Sequence, residues 1–207
     1  MANKKEEQKN RNPLIHFDEY DCVPKEMKAF ISSIVLSYKY RRGWLAKGRN
    51  IQKKFCESVA EHVFGMILLD EVIQHAFPEY YKQFDPLKVF QLIKRHELPE
   101  INEKDYTPGD KLDKKTKHKL EQDALHGWLE LVSNSKNVRA SWDEYEAAET
   151  PEAKYVHVLD YLQRAIRARL YEVEFNKDLS EFYADRKEKI PQPLLGFFES
   201  ILDIQML

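Results

Sequence analysis

Residues 151–175, PEAKYVHVLDYLQRAIRARLYEVEF, place apolar side chains at Val156, Leu159, Leu162, Ile166, Leu170 and Val173, spaced by three or four. That spacing follows the turn of an α-helix and not the two-residue period of a strand. A helix of this length must lay its apolar stripe against other elements, and the chain offers further helices to receive it. From Pro24, Met27, Phe30, Ile31, Ile34, Val35 and Tyr38 fall at helical spacings. Ser58 with Glu61 three residues later is a capping-box pattern, and it opens a helix carrying Val63, Met66, Ile67, Leu69 and Ile73. Asp85-Pro86 opens another with Leu87, Val89, Phe90, Leu92 and Ile93, which Pro99 ends or bends. Helical patterns return over about 114–134 and about 193–205. Only six glycines occur among 207 residues, and few Val/Ile/Thr alternations are present. The expected fold class is therefore all-α, a single compact bundle over 24–207, with 1–23 as a polar tail and lead-in.

Two segments break the period. RRGWLAKGRNIQKKF (41–55) contains Gly43 and Gly48 and reads as a basic loop. Residues 101–113 form a polar loop around the turn signal Thr107-Pro108-Gly109-Asp110. A formal charge of −2 gives no global pull toward nucleic acid or an acidic membrane surface. The apolar runs fall well short of the ~18 residues of a membrane span, and MANKKEEQKNRNP lacks the apolar core of a secretory signal. Cys22 and Cys56 make no spaced framework, which points to reduced, buried thiols and a cytoplasmic protein.

Polar residues inside apolar helices carry the chemistry. His62 precedes the Val63–Ile73 run, His96-Glu97 ends an apolar helix, Glu100 and Asp105 follow, and Asp160 interrupts the apolar VHVLDYL. A buried carboxylate without a partner is costly, so Asp160 calls for a cation, an Arg or capping amides. Two imidazoles with two carboxylates make a mixed N/O donor set suited to Mn²⁺, Co²⁺, Fe²⁺, Ni²⁺ or Zn²⁺. Taken singly, each histidine is more often a satisfied core or surface residue, and His16, His75, His118, His126 and His157 are so assigned. HELPE (96–100) is not the zinc-protease helix motif, because Glu100 replaces the second histidine and Pro99 breaks the helix.

GW (43–44) among basic residues, ESVAEH (57–62), HELPEINEKDYTPGD (96–110), EYE (144–146) and PEAKYVHVLDYL (151–162) occur in the order found in HD-domain phosphohydrolases. The chain resembles the branch that contains bacterial 5′-deoxynucleotidases and their eukaryotic relatives, over about residues 26–205. The resemblance implies one divalent metal ion (Mn, Co, Fe, Ni, Zn or Mg) held by His62, His96, Glu97 and Asp160. Glu97 stands where that family has Asp, and is longer by one methylene. Glu100 and Asp105 are implied catalytic residues, Glu100 at the attacking water and Asp105 also on the sugar hydroxyls. Arg42, Trp44 and Arg49 are implied to bind substrate, with Arg41 and Lys47 crowding the same segment; the bland alternative is a solvated basic loop. For Asp110 a turn role is favoured over a site role. The implied activity is removal of phosphate from a (deoxy)nucleoside 5′-monophosphate. Alternatives are hydrolysis of a nucleoside triphosphate and nucleotide binding without turnover. The implied partners are a small nucleotide and, by the family's habit, a second copy in a homodimer; no nucleic acid polymer and no membrane are expected.

Overall fold

The computed structural model describes residues 22–202 except 47, 48, 50, 104, 108 and 109, and the side chains of 186 and 187 are not described. The polar tail, His16, Lys47, Gly48 and the centre of the 107–110 turn therefore lie outside the described residues. The elements are helices α1 (Lys25–Ser33), α2 (Arg42–Leu45), α3 (Val59–Ala76), α4 (Pro78–Tyr81), α5 (Pro86–Arg95), α6 (Lys114–Leu129), α7 (Lys136–Ala147), α8 (Pro151–Phe175), α9 (Arg186–Lys189) and α10 (Gln192–Leu202). Short 3₁₀ turns occupy Ile34–Ser37, Lys53–Phe55, Leu98–Ile101 and Ser180–Phe182. Among the described residues there is no strand, only one isolated antiparallel bridge between Tyr40 and Ser58. The all-α expectation is met, and among the described residues no helix is long and apolar enough to cross a membrane.

Local chemistry sets the helix ends. Thr150 accepts from the Ala153 amide, Pro151 fills the first turn of α8, and Asn176 closes the helix in the left-handed region at φ 50°. The Asp85 carboxylate caps α5 through the Leu87 and Lys88 amides. Ser58 and Glu61 form a reciprocal capping box on α3, with the Glu61 amide donating to Ser58 Oγ at 3.2 Å and the Ser58 amide to Glu61 Oε2 at 2.6 Å.

Helix α8 is the axis of the bundle and is packed on by α3, α5, α7 and α10. Its Val156, Leu159, Leu162 and Ala165 are fully buried with Met66 and Ile73 of α3 and Val89, Leu92 and Ile93 of α5. A second cluster joins Trp44, Ile51 and Cys56 to Ala168 and Tyr171 at the far end of α8. It ties the glycine-bearing segment down, so 41–55 is not simply a loop: α2 and a 3₁₀ turn lie within it. Two further expectations are corrected. The helix expected over about 114–134 ends at Leu129, and α7 follows, centred on Trp142, which packs on Leu125 and Leu129. Sequence periodicity missed α7 because only Trp142 and Tyr145 of it are buried. Cys56 is buried as expected, which pushes its thiol up to about 12, but Cys22 is exposed.

Because α3 carries His62 in its first turn, its cap bears on both stability and site. Ser58→Ala should lower unfolding free energy by about 1 kcal/mol. Denaturant melts check this, and an unchanged midpoint would show that the capping box contributes nothing.

Candidate active site

Four elements deliver the site. α3 brings His62, the end of α5 brings His96 as its C-cap with Glu97 next, the 3₁₀ turn Leu98–Ile101 brings Glu100, and the middle of α8 brings Asp160. A fifth segment is pinned to α3: Arg41 N donates to Glu57 O at 3.0 Å and Val59 N to Lys39 O at 2.7 Å. This pairing aims the Arg41 side chain inward. Lys39 Nζ reaches the Glu100 and Glu103 carbonyl oxygens and holds the acidic loop against the bundle.

The donor atoms converge. His62 Nε2 lies 3.3 Å from Asp160 Oδ1 and 3.7 Å from Glu97 Oε1, and His96 Nε2 lies 3.5 Å from Glu97 Oε1. Ligand atoms of His62, His96 and Glu97 all fall within 4.8 Å of one another, with Asp160 approaching from the His62 side. His96 Nδ1 sits 2.6 Å from the Ile93 carbonyl oxygen, which can only accept, so Nδ1 carries the hydrogen and Nε2 presents its lone pair. His62 Nε2, His96 Nε2, Asp160 Oδ1 and Glu100 Oε2 are all buried without a hydrogen-bond partner. Buried polar atoms are normally satisfied. Three of these orphans, the two imidazole nitrogens and the Asp160 oxygen, meet beside Glu97 Oε1 and fit a divalent cation in chemistry.

Electrostatics support the fit. Burial would raise the Asp160 carboxyl, but His62 at 3.3 Å, with Arg164 and Arg41, brings it below the usual range. Burial likewise opposes ionisation of Glu97, and His96 and Arg41 overcome it. His96 is raised despite burial, chiefly by Glu97. A cluster that draws a proton onto an imidazole will also draw a metal ion in its place. Glu100 behaves oppositely: burial, then the charges of Glu97 and Asp105, push its carboxyl well above the normal range. Asp105 is also raised by burial, though Arg41 works against it.

A cavity of about 340 Å³ opens beside this cluster, lined by Arg41, Trp44, Arg49, Asp105, Tyr161 and Phe182 among others. Arg41 stands between the two: it lines the cavity and donates from Nη1 to Glu97 Oε1 at 2.5 Å. Burial would depress its guanidinium, but Glu97, Asp105 and Asp160 outweigh that and hold it charged.

The structure thus brings His62, His96, Glu97, Asp160, Glu100 and Asp105 together, and sets Trp44 and Arg49 on the cavity wall. Trp44 is almost wholly buried, with the Phe182 ring tilted against it at 4.4 Å. Arg49 is shared with Glu181 and the Gly43 carbonyl. Arg42 is placed differently: it does not line the cavity, its amide donates to Asp105 Oδ2 at 2.6 Å, and its guanidinium pairs with Asp110. The cation directed at the cluster is its neighbour Arg41, and nothing in RRGW distinguishes the two without the Tyr40–Ser58 bridge. Asp110 accepts from the Thr107 amide and hydroxyl, a turn role. His75 and His126 are exposed beside Glu71 and Glu130, and His118 and His157 stack on Trp142 and Tyr145, all outside the cluster.

The HD domain family matches residues 36–195. The chain belongs to that family. HD-domain relatives include the zebrafish (Danio rerio) 5′-deoxynucleotidase HDDC2, 32% identical over 166 residues and covering 78% of each chain. The Schizosaccharomyces pombe 5′-deoxynucleotidase hdd1 is 31% identical over 150 residues, 69% of this chain and 71% of that one. Among solved structures, the PH0347 protein of Pyrococcus horikoshii superposes with a TM-score of 0.68 at 26% identity, covering 86% of this chain and 96% of that one. A predicted metal-dependent phosphohydrolase from Magnetospirillum magnetotacticum shares the fold at 20% identity, with a TM-score of 0.62 and coverage of 86% and 94%.

The Arg41–Glu97 pair predicts the effect of restoring the shorter carboxylate. Glu97→Asp should withdraw the acid from Arg41 and bind divalent metal about tenfold more tightly, the equivalent of one charge-assisted hydrogen bond. Calorimetric titration of metal-free protein measures this. Weaker binding would show that the pocket is built around the longer side chain.

Proposed function

We propose that this chain removes the phosphate from a (deoxy)nucleoside 5′-monophosphate, with one divalent metal ion held by His62, His96, Glu97 and Asp160. It is a phosphoric monoester hydrolase, and its relatives named as 5′-deoxynucleotidases support the nucleotide as substrate. The observation that carries the reading is the group of partnerless buried atoms, His62 Nε2, His96 Nε2 and Asp160 Oδ1, beside a cavity whose inner wall is the Arg41 guanidinium. N/O donors leave the choice among Mn, Co, Fe, Ni, Zn and Mg open to metal supply.

Phosphate monoesters resist hydrolysis because attack on an anion gathers more negative charge. When bound, the metal polarises a phosphoryl oxygen and lowers the pKa of water toward ~7. The chain's own groups do the rest. Arg41, held charged by its carboxylates, can pair with a phosphoryl oxygen in the cavity. Burial and the neighbouring carboxylates raise the Glu100 carboxyl well above its ordinary range, which suits a group that passes protons between water and leaving oxygen. Asp105, fixed by the Arg42 amide, faces the cavity where sugar hydroxyls would lie. The aromatic wall of Trp44 and Phe182, with Arg49 over Phe182 at 4.7 Å, suits a sugar or base face.

A second reading, nucleotide binding without turnover, is favoured by one observation: Glu97 is already engaged by Arg41. Phosphate release from a panel of deoxy- and ribonucleoside mono- and triphosphates, with metal measured on the same preparation, separates the readings. Release from monophosphates is expected. Metal and nucleotide bound with no release would establish the second reading, and release from triphosphates alone would replace the substrate. Glu100→Gln should keep metal while turnover falls roughly 10²–10⁴-fold; loss of metal with activity would make Glu100 a ligand.

A homodimer acting in the cytoplasm completes the proposal. α3 is apolar on more than its core face: Phe64, Leu68 and Val72 form an outward stripe, 60%, 51% and 47% exposed. A helix apolar all round calls for cover on both sides. Leu68→Glu should convert a dimer to a monomer in sedimentation velocity without changing the helical signal; a wild-type monomer would remove the dimer.

A further inference from the structure

Behind the metal-facing atoms lies a buried chain of hydrogen bonds that joins the Trp44 of GW and the Glu57 of ESVAEH to Gln163 and Arg167 of α8. Glu57, 3% exposed, accepts from Trp44 Nε1 at 3.0 Å on one oxygen. Its other oxygen accepts from Gln163 Nε2 at 2.9 Å and Arg167 Nε at 3.0 Å. Gln163 Oε1 in turn lies 2.6 Å from His62 Nδ1. The two central groups, Glu57 and Gln163, are held in place. The Glu57 amide donates to Tyr171 Oη at 2.8 Å, and a Cβ built on Gly65 would come within 3.1 Å of Gln163 Nε2, so α3 passes the amide closely only because that residue is glycine.

The chemistry of the donors fixes every direction along this chain. Indole and guanidinium nitrogens only donate, so the Glu57 carboxylate is an acceptor throughout. The Gln163 amide must therefore turn its NH₂ to Glu57 and its oxygen to His62. That oxygen only accepts, so His62 carries its hydrogen on Nδ1, and Nε2 is left as a lone pair facing Asp160 and Glu97. A leucine at position 163 would leave the tautomer free, and a rotated amide, donating to Nδ1, would impose the opposite one. Histidine ligands elsewhere take their orientation from such a partner.

We propose that Glu57 and Gln163 are positioning residues: a buried relay that sets the Nδ1–H tautomer of His62 for metal binding and anchors it to Trp44 on the cavity wall. The proposal deepens the metal-dependent reading above and rests on it. Arg167 offsets the buried charge of Glu57, so the relay is electrically closed apart from the site it serves. Through Glu57, the wall that meets the substrate and the imidazole that meets the metal share one carboxylate.

The test uses full-length, metal-free protein with ¹⁵N-labelled histidine. The wild type should show the Nδ1–H tautomer for His62. Gln163→Met, which fills the space without a polar atom, should lose that preference and weaken metal binding by about 10–100-fold in calorimetric titration, while melting cooperatively. Should Gln163→Met fail to fold, the double variant Glu57→Gln/Gln163→Glu decides. It reverses the polarity of the central bond: the residue-57 amide keeps its oxygen on Trp44 and donates to a carboxylate at 163 that still accepts from His62, and Arg167, one turn along α8, pairs with that new carboxylate in place of the old one. Tautomer and metal affinity near wild type in the double variant support the relay, and loss of both overturns it. An Nε2–H tautomer in the wild type, or equal affinity in wild type and Gln163→Met, also overturns it. No metal bound by any of these proteins overturns the metal site and the relay with it, whereas tight metal binding without phosphate release overturns only the proposed reaction.

Discussion

Four carboxyl groups, Glu97, Glu100, Asp105 and Asp160, are gathered around the Arg41 guanidinium in the interior of a helical bundle. Concentrating acid away from water is unfavourable unless a cation resides there. Each feature near the site answers that demand. The Tyr40–Ser58 bridge drives Arg41 inward, Lys39 clamps the loop that bears Glu100, and the two histidines leave their Nε2 atoms unbonded. One guanidinium does not neutralise the set: Glu100 and Asp105 are driven toward their protonated forms while Glu97 and Asp160 stay ionised. The imbalance is what a divalent ion would relieve. It also divides the carboxyl groups into two that can bind a cation and two that can handle protons or hydroxyls.

Helix α8 makes this concentration possible. Its 25 residues bury an apolar stripe along the whole bundle, so the enthalpy and area of many contacts hold Asp160 in a place it would not choose alone. Gln163, one turn on, and Arg167, a further turn on, fall on the same side of the helix and reach Glu57. The metal-facing, amide and guanidinium positions are thus three successive rungs of one helix. A kink in α8 would misplace all three together.

The parts of the fold legible in the sequence are those where burial is one-sided and ends are capped. α8 is legible over about 151–175 because its apolar stripe is long and regular, and α3 and α5 because Ser58 and Asp85 are caps. α7 is not, since its exposed residues outnumber Trp142 and Tyr145 and dilute the period. In the site, His62, His96, Glu97, Glu100, Asp105 and Asp160 stood out as polar residues in apolar context. Arg41, Glu57 and Gln163 did not. Arg41 is separated from Arg42 only by the direction its backbone takes at the bridge. Gln163 is a neutral residue whose role appears only once a carboxylate from another element is placed against it. Such residues act through partners 56, 106 and 101 positions away, and no local period encodes those distances.

Glu97 brings these threads to one point. Its extra methylene carries the carboxylate to Arg41 at 2.5 Å while its Oε1 remains within 3.7 Å of both imidazoles, so a single oxygen serves the guanidinium and faces the metal position. An oxygen that donates electron density to Arg41 has less to offer a metal, and a metal drawn to it weakens the hold on Arg41. Phosphate adds a third competitor, because a phosphoryl oxygen offers Arg41 a better anion than a shared carboxylate does. Arrival of substrate would then free Glu97 toward the cation at the moment the cation is needed. On this reasoning the longer acid couples nucleotide and metal binding more tightly than Asp would, and by linkage each should strengthen the other's affinity by the same factor. Parallel metal titrations with and without a non-hydrolysable nucleoside phosphonate would measure that factor directly. A factor of one would mean that Arg41 holds Glu97 whether or not the cavity is filled.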